Sequence, residues 1–189
     1  MLVAPPSDAA ADLIPYRPLT RADFRADEPP LVLPADAPPH GAMTCARIMP
    51  RANLATRGTR DDPETRLQGL SFQALMDRDC SHWNDDSGIR EEYVLEHEQL
   101  HFAIVELEAR RLNARAEAIE HDLVQHGSDG ARRIQAGLNE LMEAAAQDVA
   151  EQGLALDRAT SMTLAPEAQH EWMARMNREL SAYPPSAER

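Results

Sequence analysis

Aromatic side chains are nearly missing from this sequence: Phe, Trp and Tyr together make up 4% of its 189 residues. A core must therefore be built mainly from Leu, Ile, Val, Met and Ala. Basic charge is short as well. Nineteen Lys plus Arg stand against 32 Asp plus Glu, a formal net charge of −13, with a pI near 4.9. A chain this acidic repels phosphate backbones, which argues against a nucleic-acid partner and makes a cation the natural counter-charge. No stretch approaches the roughly 18 apolar residues that cross a bilayer, so no transmembrane segment is expected. Residues 1–11 have neither a basic start nor an apolar stretch, so no signal peptide is visible in the sequence as given. Only two cysteines occur, Cys45 and Cys80. They would pair in an oxidising compartment and remain two thiols in a reducing one, and composition does not choose.

What is present is ordinary for a soluble domain, with 43% hydrophobic and 27% charged residues. The length suits one domain with a real core and is short for two. Nine of the fourteen prolines precede residue 40, a density that forbids long helices and central strands there. Residues 1–18 read as a flexible Pro-rich lead, 19–182 as a single domain and 183–189 as a disordered tail. Ala42 to Met49 and Leu67 to Met76 read as strands of a small antiparallel sheet. In the second, Leu67, Gly69, Ser71 and Gln73 alternate with Leu70, Phe72 and Ala74. The polar stretch Arg51 to Arg66 between them reads as an exposed loop.

From Ile89 the pattern turns helical. Arg90 to about Gln125 holds no Gly or Pro, enough for roughly ten turns. After the Gly-containing break at His126 to Gly130, Ile134, Leu138, Leu141, Met142, Ala145 and Val149 form one apolar stripe, which Gly153 should end. A third helix begins near Pro166, a favoured first-turn residue, and carries Trp172, Met173, Met176 and Leu180 on one face. The expected class is α+β: extended and strand elements first, then one long helix and two further helices.

The long helix contains His97-Glu98-Gln99-Leu100-His101. Imidazoles at i and i+4 lie on one face about 40° apart, close enough to share one tetrahedral ion. Glu98, about 100° around, reaches a water on that ion rather than the ion, and can take its proton as general base. Ile104 and Val94 flank the histidines, whereas Glu92, Glu96, Gln99, Glu106 and Arg110 form the opposite, solvated face. Inward imidazoles need partners, and a shared metal is one. The competing reading has two core histidines bonded to carbonyls and Glu98 as a surface charge. Motif, helix and face agree on the metal, Zn2+ being the expected cofactor.

Leu95-Glu96-His97-Glu98-Gln99-Leu100-His101-Phe102-Ala103-Ile104, with Glu106-Leu107 and Ala109-Arg110-Arg111-Leu112, resembles the active helix of the bacterial domain-of-unknown-function 922 family. Leu19-Thr20-Arg21-Ala22-Asp23-Phe24-Arg25 resembles that family's N-terminal segment, and Ser81-His82-Trp83 its Ser-Trp element. Leu156-Asp157, Thr160, Gln169 and Trp172 resemble its C-terminal pattern. The resemblance implies a zincin-like, zinc-dependent peptidase, periplasmic or secreted, acting on a peptide or protein. It also places a third His ligand where this chain has Met162, and a neutral thioether is a poor zinc ligand. The third donor must then come from His170, Asp157, Glu171, His121 or His126, with His170 the first choice. Glu108 shares the face but lies about 16 Å along the helix from His97 and cannot close the shell. Tyr93, one turn before His97, is a candidate for polarising a substrate carbonyl, though packing is the commoner role of such a residue. Cys80 and His82 are spaced like a metal pair, a weak signal beside burial or a Cys45–Cys80 link. Two classes remain: a metallopeptidase with Glu98 as base, or an inactive zincin-like binding module, which Met162 favours.

Overall fold

A computed structural model describes residues 12–30, 40–160 and 164–185. The chain is α+β as expected. Among the described residues six strands, β1 (Leu13–Pro15), β2 (Ala42–Met43), β3 (Ala46–Gly58), β4 (Pro63–Asp77), β5 (His82–Trp83) and β6 (Gln125–His126), accompany four α-helices. The helices are α1 (Glu91–Ala114), α2 (Ala116–Asp122), α3 (Gly130–Thr160) and α4 (Pro166–Ala182).

β3 and β4 form a long antiparallel hairpin, from Ala46↔Met76 to Gly58↔Pro63. Arg51 to Arg66 is thus not a loop but the half of the hairpin that contains its turn. Its solvent face is polar, which hides a half-buried strand from a hydrophobicity reading. On its other edge β4 pairs with β1 near Met76 and with β6 near Thr65. The boundary drawn at Leu19 falls beyond a sheet-bound segment, since Leu13–Pro15 is paired and Tyr16 packs edge-on against Phe102. Residues 1–11 and 186–189 lie outside the described residues. A shift in register follows Arg51, opposite Gly69 with φ +66°. This β-bulge flips the alternation, so Leu67 is buried with Leu70 and Phe72 instead of facing solvent.

α1 is apolar on two sides because it lies between two layers. Phe102, Val105, Ala109 and Leu112 join a core with Leu70, Phe72 and Met76 of β4 and with Ile134 and Leu138 of α3. Leu100, Ala103, Ile104 and Leu107 join a second core with Leu156 of α3 and with Met176 and Leu180 of α4. The helical run breaks at Arg115, where ψ is 2°, and α2 follows as a short separate piece. α3 does not stop at Gly153 but continues to Thr160. Gly41 lies so close to Val94 that a Cβ there would sit 2.2 Å from a Val94 methyl. Only glycine lets this segment reach α1. Among the described residues no helix is long and apolar enough to cross a membrane.

Candidate metal centre

Two imidazoles on α1 meet a carboxylate from the C-terminal half of α3. Asp157 Oδ1 lies 3.2 Å from His97 Nε2 and 3.0 Å from His101 Nε2, and the two Nε2 atoms are 3.2 Å apart. Among the described residues these three form a group that could hold a metal ion. The continuation of α3 past Gly153 makes this possible, because Asp157 and Thr160 both lie beyond the expected stop. Gly153 itself packs against His101, with a hypothetical Cβ 3.5 Å from its ring.

The surroundings orient the donors. Thr160 Oγ1 gives its hydrogen to Leu156 O at 2.8 Å, so at 3.2 Å it accepts from His97 Nδ1. That fixes the His97 tautomer and turns the Nε2 lone pair towards Asp157 and His101, the kind of outer support that metal-binding histidines have. Lone pairs of a nitrogen and a carboxylate therefore converge, an arrangement that requires a proton or a cation between them. Burial pushes the His101 imidazole down, but the Asp157 hydrogen bond and the charges of Glu98 and Asp157 outweigh it and raise its pKa. Burial pushes the Asp157 carboxyl up, but the hydrogen bonds and charges of His101 and His97 hold it well below the usual carboxylate range. The Asp157 side chain is 44% exposed, so the group opens to solvent on the α3 side.

Glu98 is 3% exposed, not a surface charge. Its Oε2 accepts from Thr44 Oγ1 at 2.6 Å. Thr44 gave no signal in the sequence: Ala42 to Met49 read only as a strand, and the contact spans 54 residues. Tyr93 donates its hydroxyl hydrogen to Thr160 O at 3.0 Å, and burial raises its pKa. It braces α1 against the end of α3, with its hydrogen already committed.

The structure does not bring His170, the first-choice third ligand, into this group. His170 is exposed on α4 beside buried Gln169, and the converging carboxylate is Asp157. Glu171 is exposed as well. His121 and His126 are exposed beside Asp122 and Asp62, at 3.4 and 3.9 Å. Glu108 pairs with Arg111 at 3.5 Å. Cys80 is bonded to Cys45, and His82 Nδ1 lies 2.9 Å from Ala26 O, so Cys80 and His82 are no metal pair. Met162 lies outside the described residues.

Comparison with known protein families, curated proteins and solved structures found no match for this chain. What the group can do is therefore argued from its atoms. Two imidazole nitrogens and one carboxylate oxygen on facing helices are a donor set that divalent transition metals accept.

Proposed function

We propose that the chain is a zinc-dependent metallopeptidase of the kind its resemblance to the domain-of-unknown-function 922 family implies. His97, His101 and Asp157 are the ligands and Glu98 is the general base. Asp157 carries this reading: its Oδ1 stands within 3.2 Å of both Nε2 atoms and gives the HExxH pair the anionic third donor that Met162 does not provide. Two histidines with one carboxylate are a ligand set that hydrolytic zinc sites use. Zinc, when bound, supplies the positive charge that acidifies a water and polarises a peptide carbonyl.

The chain's own groups do the rest. The Thr44 hydroxyl holds Glu98 Oε2, which leaves Oε1 to take a proton from water and return it to the leaving amine. Thr160 keeps His97 in the tautomer that presents Nε2. An extended peptide pairs with the outer edge of β3, which starts two residues after Thr44 and has no strand neighbour among the described residues. The Cys45–Cys80 bond supports a periplasmic or secreted location.

Elemental mass spectrometry on tag-free protein, read beside casein hydrolysis, tests the proposal. Wild type and Glu98→Gln should each carry about one zinc per chain, with hydrolysis in wild type alone. Asp157→Ala should lose the metal and the activity together. A wild type that takes up no zinc when it is offered, or a Glu98→Gln protein that still cuts casein, overturns the reading. Iron in place of zinc would point to the oxidative chemistry of other sites built from two histidines and a carboxylate.

A further inference from the structure

The free edge of β3 has a definite polarity. Phe72 turns its N–H and C=O away from β3, to the Asn113 side chain at 2.8 and 2.7 Å, while Asp77 donates to Cys45 O at 2.8 Å. Backbone direction alternates along a strand. The odd residues of this part of β4 therefore face β3, and Arg47↔Leu75, Met49↔Gln73 and Arg51↔Ser71 are the bonded pairs. Ala46, Ile48 and Pro50 point their backbone groups outward. Ala46 and Ile48 each offer an N–H and a C=O, but Pro50 offers only a C=O, so the row of donors ends there.

Side chains alternate in the other sense. Ala46 and Ile48 pack on the core, whereas Arg47 and Arg51 stand exposed on the opposite face with Met49 between them. Among the described residues neither arginine side chain has an ion-pair or hydrogen-bond partner, nor has Arg57 further along β3. Elsewhere Arg17, Arg21, Arg66, Arg78 and Arg110 are all paired with carboxylates. Across the ladder Arg47 and Arg51 face Leu75 and Ser71, neither of them acidic. Arg51 also borders a cleft of about 620 Å³ shared with Gln73, Arg110 and Asn113 and with three carboxylates, of which Glu106 is held by Arg110 at 2.7 Å, Glu120 accepts from the Leu70 N–H at 2.5 Å, and Glu117 is the third.

We infer that this edge selects an extended peptide with acidic side chains opposite Arg47 and Arg51. The inference rests on the peptidase reading only for where the scissile bond lies. Directly opposed residues of a ladder share a face, with Cβ atoms about 5 Å apart. The sequence read out is therefore acidic, any, apolar, any, acidic, with the apolar residue beside Met49. A peptide antiparallel to β3 runs with its C-terminal end towards Thr44 and Glu98. The acidic residues thus lie on the amino side of the bond to be cut. A net charge of −13 alone would repel such a peptide, so the discrimination comes from the unpaired arginines of this one strand.

The probe is a synthetic nonapeptide with Glu at two positions four apart and Leu midway, beside the same peptide with Gln at both. Their binding to the zinc-loaded Glu98→Gln chain is measured by fluorescence anisotropy. The Glu peptide should bind roughly fivefold tighter or more, the strength of one or two exposed ion pairs. The preference should fall by about half in Arg47→Gln and vanish in Arg47→Glu/Arg51→Glu, with thermal melts unchanged because both side chains are exposed. Equal binding of the two peptides, absent binding of both, or a preference that survives in the double variant overturns the inference, even if wild type cuts casein. The preference in a chain that hydrolyses nothing would uphold the docking edge and remove the peptidase.

Discussion

A carboxylate taken out of water has to be held by its neighbours, and Asp23, at 1% exposure, is held by two arginines and a threonine. Arg17 bonds both of its oxygens at 2.6 and 2.9 Å, Thr20 gives its N–H and its hydroxyl at 2.9 Å, and Arg78 stands 3.3 Å away. Burial pushes the Asp23 carboxyl up, but these bonds outweigh it and the net shift is downward. A carboxyl held below its unfolded value stabilises the fold fully above that value, about pH 4, and loses the contribution as pH falls through the folded one. Asp23→Asn should therefore cost about 2–3 kcal/mol at neutral pH, the scale of hydrogen bonds to a charged group. Urea melts of the two proteins should converge below about pH 4; a constant gap down to acid would show that the charge is not what stabilises. At this scale the sequence spoke for His97, Glu98 and His101, because a spacing of four is local and helix geometry converts it directly into a shared face. Asp157 could only be one candidate among five, since its contact spans 60 residues in the chain. His170, the first choice, stands exposed on α4 and does not join the group that Asp157 forms with the two histidines. Thr44 carries nothing in its neighbourhood that announces a bond to Glu98.

Elements were legible where packing is one-sided and hidden where it is not. The stripe from Ile134 to Val149 and the Pro166 start of α4 follow directly from period and capping. The solvent face of the β3–β4 hairpin, rich in Arg, Asn and Thr, masked a strand as a loop, and the bulge at Gly69 shifted the alternation by one residue. Arg115 broke the first helical run without a Gly or Pro to mark it. Gly153 misled in the opposite direction, because a glycine ends a helix only when its φ turns positive, and that of Gly153 does not. The residue is an interior helical position that lacks a side chain beside His101. A methyl there would meet the ring at 3.5 and 3.6 Å, ordinary contact distances. Gly153→Ala should thus gain about 0.5–1 kcal/mol of helix stability, a rise of roughly 2–3 °C in Tm, with zinc content unchanged. Gly153→Leu should drive its branch into His101 and lower metal content. A melt unaltered by Ala, or a metal content unaltered by Leu, would mean that α3 is looser at this turn than the packing indicates.

Across the whole molecule α1 is held between two broad apolar layers, and the Thr44 segment joins it by a much narrower contact. α3 and α4 press on one side through Leu156, Met176 and Leu180. β4 presses on the other through Leu70, Phe72 and Met76, while the segment carrying Thr44 reaches Glu98 only through the close approach of Gly41 to Val94 and one hydroxyl bond. The residue after Thr44 is Cys45, bonded to Cys80 across 35 residues with Cα atoms 5.7 Å apart, and its N–H donates to Ser81 Oγ at 2.9 Å. The disulfide thus anchors the same stretch that positions the proposed base and opens the docking edge. Closing a loop of this length removes chain entropy from the unfolded state worth about 4 kcal/mol, a large share of the roughly 5–15 kcal/mol that keeps a domain folded. Reduction, or Cys45→Ser with Cys80→Ser, should lower stability in urea by about 3–4 kcal/mol. On the proposed peptidase reading, casein hydrolysis should fall further than zinc content, because the proposed ligands sit on α1 and α3 while Thr44 sits on the tethered segment. Equal losses of metal and activity would mean that the tether acts on the whole fold alone; a larger loss of activity would tie the disulfide to the placement of Glu98.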